Sequence, residues 1–118
     1  MDGGYWMKAM LSQPMNGKTD EEIVATRERA IAALESKGYE IVNTLFTDEW
    51  YSAAKCKERG VVNIPLMYLA RSLTNMSLCH AAYFCGGWEN ARGCKLEHAV
   101  AEAYGLTILY EEEPNERD

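Results

Sequence analysis

The sequence predicts a three-layer α/β domain, with a mostly parallel sheet of about four or five strands and helices on both faces. Three observations carry this. Short β-prone runs alternate with amphipathic segments along all 118 residues. The first strand, helix and second strand fit within about forty residues, the span of one parallel crossover unit. Turn residues stand where each strand must give way to a helix. No repeat, low-complexity stretch or linker divides the chain, so residues 1–118 read as one domain.

Each element has its own warrant. After a loose start, Tyr5 to Leu11 (YWMKAML) reads as a buried strand. Ser12 to Lys18 is loop chemistry, with Pro14 as a breaker and Asn16-Gly17 as a turn. Thr19-x-x-Glu22 is a capping box, in which each side chain satisfies an orphan N–H at a helix start. Ile23, Ala30, Ile31 and Leu34 share a helical face, and Lys37-Gly38 closes the helix. Tyr39 to Leu45 is the second strand. Asp48 to Arg59 suits a helix ended by Gly60. Pro65 suits a first helical turn, which places a helix over Leu66 to Met76. Cys79 to Cys85 (CHAAYFC) reads as a buried strand and Gly86 to Asn90 as a loop. Arg92 to Tyr104 is a helix ended by Gly105, and Leu106 to Tyr110 the last strand.

Composition excludes several classes. Hydrophobic residues at 47% and charged residues at 25% exclude disorder as the main state. The net charge is −6, but residues 111–118 hold five acids and one Arg. That segment reads as a frayed acidic tail, and the body is near neutral. No basic surplus exists for duplex nucleic acid, although backbone N–H groups suffice for a single nucleotide. No apolar run approaches the ~18 residues of a membrane span, so no membrane partner is expected. Residues 1–15 lack the charged start and apolar middle of a signal peptide. Cys56, Cys79, Cys85 and Cys94 form no C-x-x-C pair. The expectation is a cytoplasmic protein with reduced thiols. Trp and Tyr in connecting segments leave apolar surface to cover, which predicts a homo-oligomer.

In parallel α/β sheets, ligands sit beyond the carboxyl ends of strands. Two loops therefore matter, Ser12 to Lys18 and Gly86 to Gly93. Gly17-Lys18-Thr19 looks like the close of a phosphate loop, but Ser12 stands where its first Gly is required. Two readings remain for this loop. It is a helix-capping turn, or Ser12, Asn16 and the next helix's N–H groups hold a hydroxyl, carboxylate or single phosphate. Glycines 86, 87 and 93 do not form a dinucleotide fingerprint. Gly93 can admit a ligand close to the helix start.

Glu97 stands out. It shares a helical face with Val100, Ala101 and Tyr104, the apolar side. A carboxylate there loses hydration. It is either a helix N-terminus stabiliser or a partly desolvated nucleophile or general base. Cys94 and His98 stand at i and i+4, as metal ligands can, but no zinc spacing is present and no metal or cofactor is expected. Cys–His thiol catalysis lacks an orienting third group. Trp88 sits in the ligand-side loop; Trp50, Tyr51 and Tyr68 read as core or interface.

Two segments resemble a known family. They are Ser12-Gln13-Pro14-Met15-Asn16-Gly17 after the first strand, and Gly87-Trp88-Glu89-Asn90-Ala91-Arg92-Gly93-Cys94-Lys95-Leu96-Glu97-His98 running into a helix. Over roughly Met7 to Tyr110 the chain looks like the nucleoside 2-deoxyribosyltransferase-like superfamily, in a small branch common in bacteria and their phages. The resemblance implies a flavodoxin- or Rossmann-like sheet and a nucleoside or nucleotide site. It implies that Glu97 attacks C1′ of a deoxyribose, that the base leaves, and that a second base or water takes the sugar. Ser12 and Asn16 would hold sugar or phosphate, beside Pro14 and Met15. Gly87, Trp88 and Asn90 would meet base or sugar, and Gly93 would let the backbone approach. A neighbouring subunit often completes the pocket in such proteins. The family's third strand commonly carries Asp within the stretch matching Cys79 to Ala82, where this chain has His80. The opening Tyr of some relatives is matched at best by Tyr5. A binding protein without turnover, built on the same pocket, is the alternative implied.

Overall fold

The computed structural model describes residues 7–42 and 53–112. Strand β1 (Met7–Ser12) leads through the capped turn into helix α1 (Asp20–Ser36) and strand β2 (Tyr39–Ile41). Helices α2 (Ala53–Glu58) and α3 (Ile64–Met76) precede strand β3 (Ala81–Phe84). A 3-10 turn (Trp88–Asn90), helix α4 (Arg92–Ala103) and strand β4 (Thr107–Tyr110) complete the described order. Tyr5, Trp50, Tyr51 and the expected end of the second strand lie outside the described residues.

The four strands form one sheet in the order β2-β1-β3-β4, and every pair is parallel. Side chains alternate across it as the strand period requires. Ala9 and Leu11 of β1, with Ala81 and Tyr83 of β3, pack under Ala30 and Leu34 of α1. Met10, Ala82 and Phe84 point the other way, against Met76 of α3 and Ala101 of α4. The result is a helix–sheet–helix sandwich with two apolar layers. Leu34 is fully buried, and truncating such a side chain to Ala costs about 2–5 kcal/mol.

Local chemistry explains the boundaries. Thr19 accepts from the Glu22 N–H at 3.1 Å while the Glu22 carboxylate accepts from the Thr19 N–H at 2.9 Å. Gly38 follows α1 with φ +90°, a region costly for side-chain-bearing residues. Helix α3 starts two residues earlier than expected. Asn63 caps it by accepting from the Leu66 N–H, so Pro65 falls inside the first turn, where its missing N–H costs nothing. Helix α4 ends one residue earlier than expected, and Tyr104 beyond it is 81% exposed. Tyr104 therefore does not share the buried face of Glu97: the helical phase lapses before reaching it.

Strand order positions the site. From β1 the chain winds outward to β2, then returns past β1 to place β3 on its other side. The winding thus reverses between β1 and β3, where the crossover helices leave an opening above the strand ends. Ser12 pairs in register with Phe84 at this point, and the Cys85 N–H donates to the Ser12 carbonyl at 2.9 Å.

Candidate functional site

Ser12 ends β1 with its side chain on the α4 side of the sheet and is 1% exposed. Helix α4 brings Glu97 to the same place. The buried face of this helix carries Cys94, Glu97 and Ala101, at i, i+3 and i+7. The Ser12 hydroxyl donates to Glu97 Oε1 at 2.5 Å, at the short limit for a hydroxyl–carboxylate bond. Ser72, buried on α3, hydrogen-bonds to the same carboxylate. Burial pushes the Glu97 carboxyl above its ordinary value, and the two serine hydroxyls oppose that rise.

Burial disfavours the thiolate form of the cysteines around this pair. Burial raises Cys94 to about 11, with Ser12 lowering and Glu97 raising it. Burial raises Cys85 to about 12, with Glu111 and Cys94 adding to the rise. Neutral thiols are poor nucleophiles. Cys94 and His98 also part company: Cys94 turns toward Ser12, whereas the His98 Nε2 lies 2.7 Å from the Tyr110 hydroxyl. They do not form the metal-ligand pair that their spacing allows.

Beside the serine–glutamate pair, an aromatic cluster stands over the ends of β3 and β4. Trp88 stacks on His98 with ring centroids 4.1 Å apart and planes 15° apart. It lies 5.6 Å from Phe84 and 5.9 Å from Tyr110. A cavity of about 300 Å³ opens here, walled by the turn from Gly86 to Glu89, Phe84, Tyr110 and Glu111. Gly87 adopts φ +88° in that turn, and Pro14 from the first loop lies against it at 3.8 Å from where a Cβ would stand. The two sequence-marked loops therefore meet at Pro14 and Gly87. Ser12 and Glu97 are not among the cavity's walls; Phe84, opposite Ser12 in register, is.

Met15 is 43% exposed, and Asn16 stands in the exposed turn with Gly17. Asn90 ends the 3-10 turn in an exposed position, and Gly93 faces open space at the start of α4. Of the pair expected to hold sugar or phosphate, Ser12 is buried and Asn16 exposed. Ser12 turns to Glu97, Thr19 is engaged by Glu22, and Asp20, Glu21 and Glu22 make the start of α1 acidic. His80 lies at the opposite end of the sheet, where its Nδ1 accepts from the Lys8 N–H at 3.0 Å. It precedes β3, whereas Ser12 pairs with Phe84 at the strand's far end, about 10 Å or more along the pleat. The acidic tail is also tied down at its first residue. Glu111 Oε1 accepts from the Gly86 N–H at 2.7 Å, and its Oε2 lies 3.5 Å from Arg29.

Ser72, His98, Tyr110 and Glu111 join the expected residues in or beside the site. Ser72 carries a signal similar to that of Glu97, a polar residue on a buried helical face with Asn75 and Met76. Tyr110 ends β4 and Glu111 follows it at the ligand edge, a position that marks both from the sequence.

Residues 7–110 match the family described as Domain of unknown function (DUF4406). The chain belongs to this family. The family's bounds run from the first residue of β1 to the last of β4, so the shared unit is the sheet with its crossovers. Ser12, Glu97, Trp88 and Tyr110 all lie within it. No curated protein and no solved structure matches the chain. Among the described residues, no helix is long and apolar enough to cross a membrane.

Proposed function

We propose that this chain acts on the N-glycosidic bond of a 2′-deoxynucleoside or deoxynucleotide, with Glu97 as the nucleophile. One observation supports this above others: the Glu97 carboxylate, 8% exposed, is held by Ser12 at the β1–β3 reversal, where α/β sheets receive ligands. The likeness of the Ser12–Gly17 and Gly87–His98 segments to nucleoside 2-deoxyribosyltransferase-like proteins supports the same chemistry.

In the first half of the reaction a Glu97 oxygen bonds to C1′ as the C1′–N bond breaks. The electron pair leaves on the base nitrogen, which takes a proton from solvent or an acid in the site. In the second half, water or another base attacks C1′, the C1′–O bond to Glu97 breaks, and the attacking group gives up its proton. The carboxylate is regenerated, and two inversions give net retention. Partial desolvation suits a carboxylate nucleophile, and the serine hydroxyls hold it in one orientation. Trp88 and Asn90 meet base or sugar, and Pro14, Met15, Asn16 and Gly87 frame the entrance, with Gly93 clearing space at the start of α4.

The alternative has its own support. Because the cavity does not include Glu97 in its walls, a nucleotide can be held there without meeting the nucleophile. A homo-oligomer fits either reading, since Val62 and Leu66 near the start of α3 are exposed.

A chromatographic assay separates the two. Wild type and Glu97→Gln are incubated with 2′-deoxynucleosides and their 5′-monophosphates, with and without an acceptor base. Free base from the wild type alone supports the glycosidic enzyme, and the acceptor lanes distinguish transfer from hydrolysis. Base release by Glu97→Gln removes the nucleophile assignment. No release, with nucleotide binding retained, leaves the binding protein.

A further inference from the structure

The cavity over β3 and β4 combines three features that its neighbour, the Ser12–Glu97 pair, lacks. One wall is aromatic. Trp88 and Tyr110 lie 26° from parallel at 5.9 Å. A base sliding between them would need about 7–8 Å, two van der Waals spacings. They are therefore not two jaws, and with His98 stacked on one face of Trp88 at 4.1 Å a base would stack on the opposite face. A second wall is carboxylate, from Glu89 and Glu111. The third feature is size: about 300 Å³ is at the small end of ligand pockets and suits one ring system.

The two carboxylates differ. Glu111 is fixed, clasped by the Gly86 N–H and approached by Arg29. A Cβ at Gly86 would stand 3.3 Å from Glu111 Oε1, so this close clasp relies on the glycine. Glu89 is exposed on the 3-10 turn and has no hydrogen-bond partner among the described residues. Ionised carboxylates only accept hydrogen bonds. A ring edge bearing N–H donors meets them well. An edge that turns a carbonyl oxygen toward them is repelled, and so is a phosphate.

We propose that this cavity is a base-recognition pocket that selects nucleobases presenting an exocyclic amine, through Glu89 and Glu111, with the base stacked on Trp88 and Tyr110. The inference rests on the nucleoside reading of the site but not on turnover. It assigns Glu89 as the adaptable specificity residue and Glu111 as the fixed one. It also sends any 5′-phosphate away from this end of the molecule.

Calorimetric titration of the full chain tests it, in a Glu97→Gln background so that no substrate is consumed. The probes are two pairs in which an exocyclic amine with two N–H donors gives way to a carbonyl beside a single ring N–H: 2′-deoxyadenosine with 2′-deoxyinosine, and 2′-deoxycytidine with 2′-deoxyuridine. The amine member of each pair should bind about tenfold tighter, the scale of one good charge-assisted hydrogen bond. Adding Glu89→Gln should shrink that preference to about twofold or reverse it, because an amide also donates. Glu111→Gln keeps an acceptor for the Gly86 N–H and should weaken the preference while the fold persists, as circular dichroism would show. Equal affinities within both pairs overturn the proposal. So does a preference that neither Gln variant moves, or failure of all four nucleosides to bind. Selective binding with no turnover by the wild type would sink the nucleophile reading and leave this one standing.

Discussion

The Ser12 hydroxyl at the end of β1 donates to the Glu97 carboxylate on α4 at 2.5 Å, joining residues 85 positions apart. Neither residue is near the other's element in the sequence. The sheet's reversal between β1 and β3 is what brings them together.

Glu97→Gln should separate function from stability. As nucleophile, its loss should lower turnover by at least about a thousandfold. Stability should move the other way. Burial raises the Glu97 carboxyl in the folded state, so the folded state holds the proton more tightly than the unfolded chain does. Stability therefore falls as pH rises from the ordinary carboxylate value through the raised one. At neutral pH the ionised group is a liability, and Gln removes it while still accepting from Ser12. Tm should rise by a few degrees at neutral pH, at roughly 4 °C per kcal/mol for a domain of this size. The gain should vanish below the ordinary carboxylate range. Scanning calorimetry at both pH values checks it.

Ser12→Ala should shift the pH–rate profile. The Ser12 hydrogen bond lowers the Glu97 carboxyl against the larger effect of burial. Without it the carboxyl rises further. The nucleophile must be ionised, so the acid limb of kcat/KM should move to higher pH. The buried carboxylate also loses a partner, costing about 1–3 kcal/mol at neutral pH. A loss of rate that is uniform across pH would contradict this role.

Thr19→Ala should affect stability alone. It removes the capping-box hydroxyl from the start of α1 and should cost about 1 kcal/mol by urea titration. Turnover and nucleoside affinity should hold, since α1 packs on the face of the sheet opposite to α4 and Glu97. A large loss of binding would place the α1 N-terminus back in the site.

Thiol chemistry offers an independent check on burial. Cys85 and Cys94 are buried and raised to about 12 and about 11. Both should resist a thiol reagent at mildly alkaline pH in the native protein and react at once in denaturant. Rapid native reaction of either would mean that the Ser12–Glu97 region opens readily.

The parts legible in the sequence are those decided by near neighbours. Thr19 and Glu22 cap each other across three residues, Lys37-Gly38 closes α1, and Pro65 marks the first turn of α3. Glu97 was legible because α4 is long enough for periodicity to expose a carboxylate on an apolar face. Its partner was not. Which side of the sheet Ser12 faces depends on strand phase, and which helix lies there depends on topology. Tyr104 misled because periodicity does not announce that a helix has ended. Glu111 was hidden by company: five acids in eight residues read as a solvated tail, yet one of them closes the loop after β3. The resemblance sets His80 where relatives commonly carry Asp, and strand direction puts it at the end of the sheet away from Ser12.

Strand β1 occupies the interior of the sheet, yet it precedes the other three described strands in synthesis, and its neighbour β3 is completed only at Phe84. During elongation one of its edges can be covered by Ile41, and the other waits about forty residues more, several seconds at ~5–20 residues per second. Through that interval the nascent chain carries a bare apolar strand edge, open to pairing with other chains. The order of synthesis thus leaves β1 open to mispairing before it can be the floor of a site.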